Sequence, residues 1–488
     1  MVTHMERRGT RRASQSKLMP EACTDGPFKG YIGLDWISSA ATKLSEGERM
    51  TTLMHHFHTE NLREAFRQCD GNKAVGIDQI TKSRYAKNLQ DNLEQLSERI
   101  AKGGWRPKPS RQVLIPKPQG GTRPLAVGCL EDKLVQSLTA KILEAVFEPI
   151  MHRHSYGFRN GKSTHQALSR LYSEINKKGK HTAVVEMDIE KFFDSMDHDL
   201  LLQMLEKKIK DPFFLRHIRR MLRNSILLPS GKSLLNEMGA PQGNPASPVL
   251  ANIYLHYVLD EWFETHWQKC GEIVRYADDA VFVFSDLNKA KEFREALEKR
   301  LEKFKLNLNA DKSGIRKFGP RDHAGDLPFV GFALCWGKAW KGKRYLKAKT
   351  HPKRLGRCIQ AFKEWIKANR HRYKLDVLWE KAKAKILGHY NYYGVSTNLS
   401  KLNHFYYVCV GLMYKWLNRR SQKRSFTWEK FMRRLMFKPI PKPNIGSIVI
   451  DLTSGLGTQL KRKPKSRMRK LRTYGSQRSS GRQRPLFT

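Results

Sequence analysis

The chain has 488 residues, of which 91 are Lys or Arg and 46 are Asp or Glu, giving a formal net charge of +45. Such an excess repels itself on folding and calls for a polyanionic partner, nucleic acid before an anionic membrane surface. No apolar run approaches the roughly 18 residues of a spanning helix, and seven scattered cysteines without a CxxC pair indicate neither a disulfide framework nor a zinc site.

Hydrophobic residues at 40%, with ten tryptophans, supply apolar surface for about two to four domains. Residues 1–50 are Gly/Ser/Thr-rich and weakly periodic, which predicts a loosely ordered extension. The pairs Arg7-Arg8 and Arg11-Arg12 lack the apolar segment of a secretory or twin-arginine signal. A reducing cytosol, bacterial or organellar, is the expected compartment. Over 51–180, helical patterns alternate with extended pieces, and "VLIPKPQGGTRPLAV" (Val113–Val127) reads as strand, basic Gly-rich turn, strand. Residues 181–335 hold short β-branched runs between amphipathic helices, among them "TAVVEM" (Thr182–Met187) and the pair "IVRY" and "VFVF" (Ile273–Tyr276, Val281–Phe284). This mixture predicts an α+β fold, an antiparallel sheet backed by helices. Residues 350–440 are expected to be helical and basic, with Leu355, Ile359, Phe362 and Ile366, then Leu378, Ala382 and Ile386, at spacings of three and four, and the all-helical domain that holds them is bounded at 336–440. In the tail, 441–488, eight of the twelve residues from Lys461 to Arg472 are basic; it cannot form a core and adds salt-sensitive affinity for RNA or DNA.

Two acidic sites stand out in this basic chain. Asp278 and Asp279 lie side by side between two short β runs, where a tight hairpin is the economical reading. Aspartates are also ordinary residues of solvated turns. Asp188 follows the strand Thr182–Met187, so it is a carboxylate at a strand's carboxyl end. If that strand pairs beside the hairpin, Asp188, Asp278 and Asp279 converge, and a divalent cation relieves their repulsion. Asp194 and Asp197 lie farther into the helix and read as solvated or N-terminal-turn acids.

At this point the sequence resembles a known family. "DIEKFF" (Asp188–Phe193) and "YADD" (Tyr276–Asp279) are similar to the two metal-binding motifs of reverse transcriptases. "IPKPQGGTRPL", "SYGFRNGKSTHQA" (Ser155–Ala167), "GAPQGNPASPVLANIYL" (Gly239–Leu255), "LNLNADKS" (Leu306–Ser313) and "FVGF" (Phe329–Phe332) follow in family order. "LGHYNYYG" (Leu387–Gly394) and "KWLNRRSQKRSFTWEKF" (Lys415–Phe431) resemble the thumb-and-maturase region, domain X, of group II intron reverse transcriptases.

The resemblance implies a right-hand polymerase of fingers, palm and helical thumb. It places two Mg²⁺ ions on Asp188, Ile189, Asp278 and Asp279, the three acids being catalytic. Lys117 and Arg123, flanking Gly120-Gly121, suit β- and γ-phosphates. Phe193 takes the place of the steric gate against a ribose 2′-hydroxyl, while Phe192 fits a core aromatic. Gln242 and Gly243 fall in the loop beside the nascent base pair, where glycine allows close backbone approach. Lys312 could meet the metal-bound phosphates or be a solvated lysine. In the helical region, Trp365, Trp379, Tyr390, Tyr392, Tyr393, Tyr406, Tyr407, Trp416 and Trp428 interleave with basic residues; at least half should be buried, which leaves Arg419, Arg420, Lys423 and Arg424 as the RNA contacts.

The implied partners are intron RNA, a DNA target or primer and dNTPs, with no membrane. Beyond Phe437 there is no Cys or His, so the resemblance is to the endonuclease-less subtype. Three functions stay distinct: a mobile-intron polymerase and maturase, a splicing-only RNA binder, and a domesticated polymerase in repair or defence. The intact acids, Lys117, Arg123 and Phe193 oppose the second, and the domain-X likeness favours the first over the third.

Overall fold

In the computed structural model, residues 26–45, 47–116, 121–177, 183–322, 325–338, 342, 344–420, 426–444 and 452 are described. Eleven strands occur among them. The first five are β1 (Ser110–Pro116), β2 (Thr122–Val127), β3 (Ala183–Met187), β4 (Ile226–Leu227) and β5 (Ser233–Leu234). The rest are β6 (Gly271–Tyr276), β7 (Asp279–Phe284), β8 (Gly314–Lys317), β9 (Leu327–Phe329), β10 (Phe332–Lys338) and β11 (Arg344–Thr350).

The central sheet has the order β6-β7-β3-β8 and is antiparallel throughout. Its strands read as continuous apolar runs because both faces are covered. Ala183, Val185, Met187, Ile273, Ala280, Phe282 and Phe284 point into one hydrophobic cluster. Their alternates Val184, Val274, Val281 and Val283 point into a second. The first cluster is built on Leu130–Phe147, a helix with thirteen buried residues, and on the helix Leu287–Lys303. The second is built on Thr164–Asn176, which lies against β6 and β7, and on the C-terminal helices. The mixed helix-and-sheet class and the antiparallel central sheet agree with the sequence reading.

Two expectations need correction. The extension was expected to be loose to residue 50. Instead Phe28, Tyr31, Leu34 and Ile37 are buried in the first cluster, and the helix Leu34–Lys43 packs on Leu130–Phe147. Asn61 fastens this segment, its Oδ1 accepting from the Ile32 amide at 2.7 Å and its Nδ2 donating to the Ile32 carbonyl at 3.1 Å. Small residues around these four apolar anchors diluted their spacing in the sequence. The second correction concerns 336–350, assigned to a helical region. Here β10 and β11 pair antiparallel from Phe332↔Thr350 to Lys338↔Arg344, with β9 on the other side of β10. In β11, Leu346, Ala348 and Thr350 are buried and the intervening positions carry Lys, a period of two obscured by charge. The helical part begins at Pro352, with Leu355, Phe362 and Ile366 buried in Pro352–Asn369 and Leu378, Ala382 and Ile386 in Leu375–Tyr393.

A second sheet has the order β2-β1-β4-β5. The β1–β2 hairpin is antiparallel, whereas β4 runs parallel to β1 and arrives more than a hundred residues later. Among the described residues, no helix is long and apolar enough to cross a membrane.

Phe293 locks the helix Leu287–Lys303 onto the central sheet. Its ring centroid lies 4.5 Å from Phe282, 5.0 Å from Phe284 and 5.2 Å from Trp267. Phe293→Ala should therefore lower unfolding free energy by about 3–5 kcal/mol, measured by denaturant titration; a loss below about 1 kcal/mol would show that the cluster collapses freely around the gap.

Candidate active site

Strand register brings the acids together. Met187 on β3 pairs with Ala280 on β7, which sets Asp188, one residue beyond the ladder, level with Asp279. Because side chains alternate, both belong to the face of Val184, Val281 and Val283. β6 and β7 close through a two-residue turn, Ala277-Asp278, with Tyr276 paired to Asp279. Ala277 has φ 58°, the left-handed conformation expected at the first position of a hairpin turn, where glycine is the usual resident. The expected hairpin is present, with Asp278 in the turn and Asp279 as the first residue of β7.

Asp188 is held by the 306–313 segment. Its amide donates to Ser313 Oγ at 3.1 Å and its carbonyl accepts from the Asn309 amide at 2.9 Å. Lys312 Nζ lies 2.9 Å from Asp188 Oδ2. Burial, together with the charge of Asp188, raises the Asp278 carboxyl above its usual range, against the pull of Arg123 and Lys312. Loss of hydration on burial, then repulsion from Asp278 and Asp188, pushes Asp279 up to about 7. Asp279 nevertheless opens to the cleft, so a cation can reach it.

These oxygen donors fit a divalent ion, which prefers carboxylates and would relieve the repulsion. Among the described residues no three Asp, Glu, His or Cys side chains form a finished ligand set; Lys312 takes one oxygen of Asp188 instead. The Ile189 side chain is buried in the first cluster, so only its carbonyl oxygen could serve an ion. Asp197, read as a solvated or N-terminal-turn acid, instead caps the helix His198–Glu206, accepting from the Asp199 and Leu200 amides at 3.0 and 2.9 Å.

Asp188 and Asp279, but not Asp278, line a cleft of about 540 Å³ together with Lys312, Lys353, Arg354 and Arg357, among others. The last three were missed in the sequence, although "HPKRLGR" at the start of Pro352–Asn369 was a visible cationic cluster. Arg123 stands exposed on β2 opposite Ile115, close enough for its charge to act on Asp278. Lys117 lies outside the described residues.

Phe193 is half-buried and lines a smaller cleft with Gln112, Pro124, Ala126, Gly239 and Gln242, while Phe192 is in the core. The Gln242 carbonyl accepts from the Ala126 amide at 2.7 Å. Gly243 has φ 111°, and a Cβ there would lie 2.5 Å from the Ala126 carbonyl oxygen. The close approach this glycine allows is thus to strand β2.

Of the nine aromatics picked from the C-terminal region, Trp379, Tyr390, Tyr393, Tyr406 and Trp416 are buried. Trp416 is ringed by cations, with the guanidinium carbons of Arg370 and Arg419 at 5.2 and 5.3 Å from its ring. Arg419 is exposed, whereas Arg420 donates to the Tyr373 carbonyl at 2.9 Å. Lys423 and Arg424 lie outside the described residues.

Residues 115–334 match the family model of reverse transcriptase, RNA-dependent DNA polymerase. The chain is similar to an uncharacterized 91 kDa protein in the cob intron of Schizosaccharomyces pombe, 46% identical over 156 residues, 32% of this chain and 19% of that protein. It is 34% identical over 168 residues to the group II intron-encoded protein LtrA of Lactococcus lactis subsp. cremoris, 34% of this chain and 27% of that protein. Protein YkfC of Escherichia coli is 29% identical over 278 residues, 50% of this chain and 73% of that protein. The chain spans about a fifth of the length of the first curated relatives it matches. The match begins within β1 and ends within β10, so it takes in Asp188, Asp278 and Asp279 and the segment that clamps Asp188.

The raised Asp279 carboxyl has a consequence for pH. In metal-free protein, the folded state holds this proton more tightly than the unfolded state, so its contribution to stability is present below the ordinary value of 3.8 and is lost as pH rises through about 7. Without divalent metal, the wild-type melting temperature should fall relative to that of Asp279→Asn between those limits, and added Mg²⁺ should reverse the trend. Parallel wild-type and variant curves would show that Asp279 titrates normally.

Proposed function

We propose that the chain is an RNA-directed DNA polymerase that also acts as a maturase, binding intron RNA and assisting splicing and retrotransposition. The observation that carries this reading is the register-fixed meeting of Asp188 with Asp278-Asp279 above a cation-lined cleft.

In this reading Asp188, Asp278, Asp279 and the Ile189 carbonyl hold two Mg²⁺ ions. When bound, the ions activate the primer 3′-hydroxyl and stabilise the leaving pyrophosphate. Lys117 and Arg123 hold the triphosphate from the β1–β2 hairpin. Lys312, beside Asp188, would meet a phosphate of the bound nucleotide. Phe193 closes the space a ribose 2′-hydroxyl would need, selecting dNTPs. Gln242 and Gly243 join the nucleotide cleft to β2. Lys353, Arg354 and Arg357 hold backbone phosphates of the primer–template duplex. Arg419, Arg420, Lys423 and Arg424 contact intron RNA. The similarity to LtrA and to the COX1/OXI3 intron 1 and intron 2 proteins of Saccharomyces cerevisiae supports the intron partnership.

Primer extension on an RNA template with dNTPs and Mg²⁺ tests the polymerase. Asp278→Asn and Asp279→Asn should each lower the rate by at least about a thousandfold, about 4 kcal/mol of barrier, with RNA affinity retained. Near-normal extension by either variant would remove the metal-site assignment.

The RNA surface has a separate test. Replacing Arg419, Arg420, Lys423 and Arg424 by Gln should weaken binding to structured intron RNA and flatten the log–log salt slope by about 2–4. An unchanged slope would reassign these residues to packing, a role Arg420 already fills at Tyr373.

A further inference from the structure

Arg275 lies two residues before Ala277, and its side chain is fully buried. A guanidinium cannot be left bare there, and each of its nitrogens is met. Nε donates to Asp260 Oδ1 at 2.8 Å and Nη2 to Asp260 Oδ2. Nη1 donates to Asn252 Oδ1 at 3.0 Å and to the Ala277 carbonyl at 2.9 Å. Asp260 is itself fully buried and closes a π-helical turn, His256–Asp260.

The same network reaches a third segment. Asn252 Nδ2 donates to the Gly157 carbonyl at 2.7 Å. Gly157 lies so near the turn that a Cβ would sit 2.4 Å from the Ala277 nitrogen. On either side of Gly157's approach, the Arg275 amide donates to the His154 carbonyl at 3.0 Å and the Tyr156 amide donates to the Arg275 carbonyl at 2.9 Å. Three distant stretches of chain therefore converge beneath one two-residue turn. That turn needs holding, because Ala277 sits at φ 58°, a conformation that a residue with a Cβ keeps only when its surroundings impose it.

We propose that Arg275, Asp260 and Asn252 are positioning residues for the carboxylate pair. By fixing the Ala277 carbonyl they set the direction in which Asp278 and Asp279 present oxygens to a divalent cation, and so set the cation's affinity. The inference rests on the metal-dependent reading above. Stability alone is a weak reason for this arrangement, since a buried ion pair can be exchanged for packed apolar side chains at little loss. What an apolar pair cannot supply is the donor to Ala277.

The test uses the full chain, with Mn²⁺ binding followed by electron paramagnetic resonance and the Mg²⁺ dependence of primer extension as a second readout. Arg275→Lys keeps the charge but cannot serve Asp260, Asn252 and Ala277 together. The pair Arg275→Met with Asp260→Leu removes both charges and keeps the volume. Each should bind Mn²⁺ about 10–100-fold more weakly, with the half-saturating Mg²⁺ concentration raised by a similar factor and RNA affinity unchanged. A folded variant with wild-type Mn²⁺ affinity and Mg²⁺ dependence overturns the proposal. If neither folds, Asn252→Ala, which spares the ion pair, decides by the same two readouts, unchanged values again overturning it. Wild-type protein that neither binds Mn²⁺ nor extends a primer defeats the proposed function itself; wild type that does both, beside variants with unaltered metal response, defeats the positioning role alone.

Discussion

The pairing of β3 with β7 is the constraint on which the site depends. Side chains alternate across a sheet, so a slip of one residue between Met187 and Ala280 would turn Asp188 toward the first hydrophobic cluster and leave Asp279 without its neighbour. The slip is opposed on both faces at once. Val185 and Phe282 face one core while Val184 and Val283 face the other, and both sets must be misplaced for the register to move. Catalytic geometry is thus enforced by ordinary hydrophobic burial several residues away from the chemistry.

Electrostatics gives that geometry its direction. The surface is overwhelmingly basic, yet the cleft floor gathers carboxylates whose repulsion raises the Asp278 and Asp279 carboxyls. Around this floor stand Lys312, Arg123 and the cations at the start of Pro352–Asn369. An acidic point ringed by basic walls suits a polyphosphate that arrives with its own cations. In the absence of metal, Lys312 already touches Asp188, a cation in the position where a cation is wanted.

Much of this was legible before any coordinates. The apolar runs at 183–187, 273–276 and 281–284 are strands in the structure, and the hairpin that carries Asp278 and Asp279 forms where the runs placed it. Phe192 is in the core, as its reading had it, and Phe193 lines a cleft. What escaped had physical reasons. β11 alternates apolar residues with lysines inside a region read for helical period, so its charge hid its pattern. The segment Phe28–Ile37 has its apolar anchors among small residues. Partners such as Asp260 and Asn252, each buried in a helix and distant in sequence from Arg275, carry no local pattern at all. The need for glycine at 243 was readable, but the object it approaches, the Ala126 carbonyl, follows only from tertiary packing.

The parallel pairing of β1 with β4 carries one more implication. The sheet that presents Arg123 is stitched from two stretches of chain, with the strand leading to Asp188 lying between them in sequence. During synthesis on the ribosome, the β1–β2 hairpin emerges early but its other edge has nothing to dock on until Leu227 has cleared the exit tunnel. An amino-terminal fragment cut between 128 and 225 would therefore expose an unpaired β1 edge, a template for aggregation.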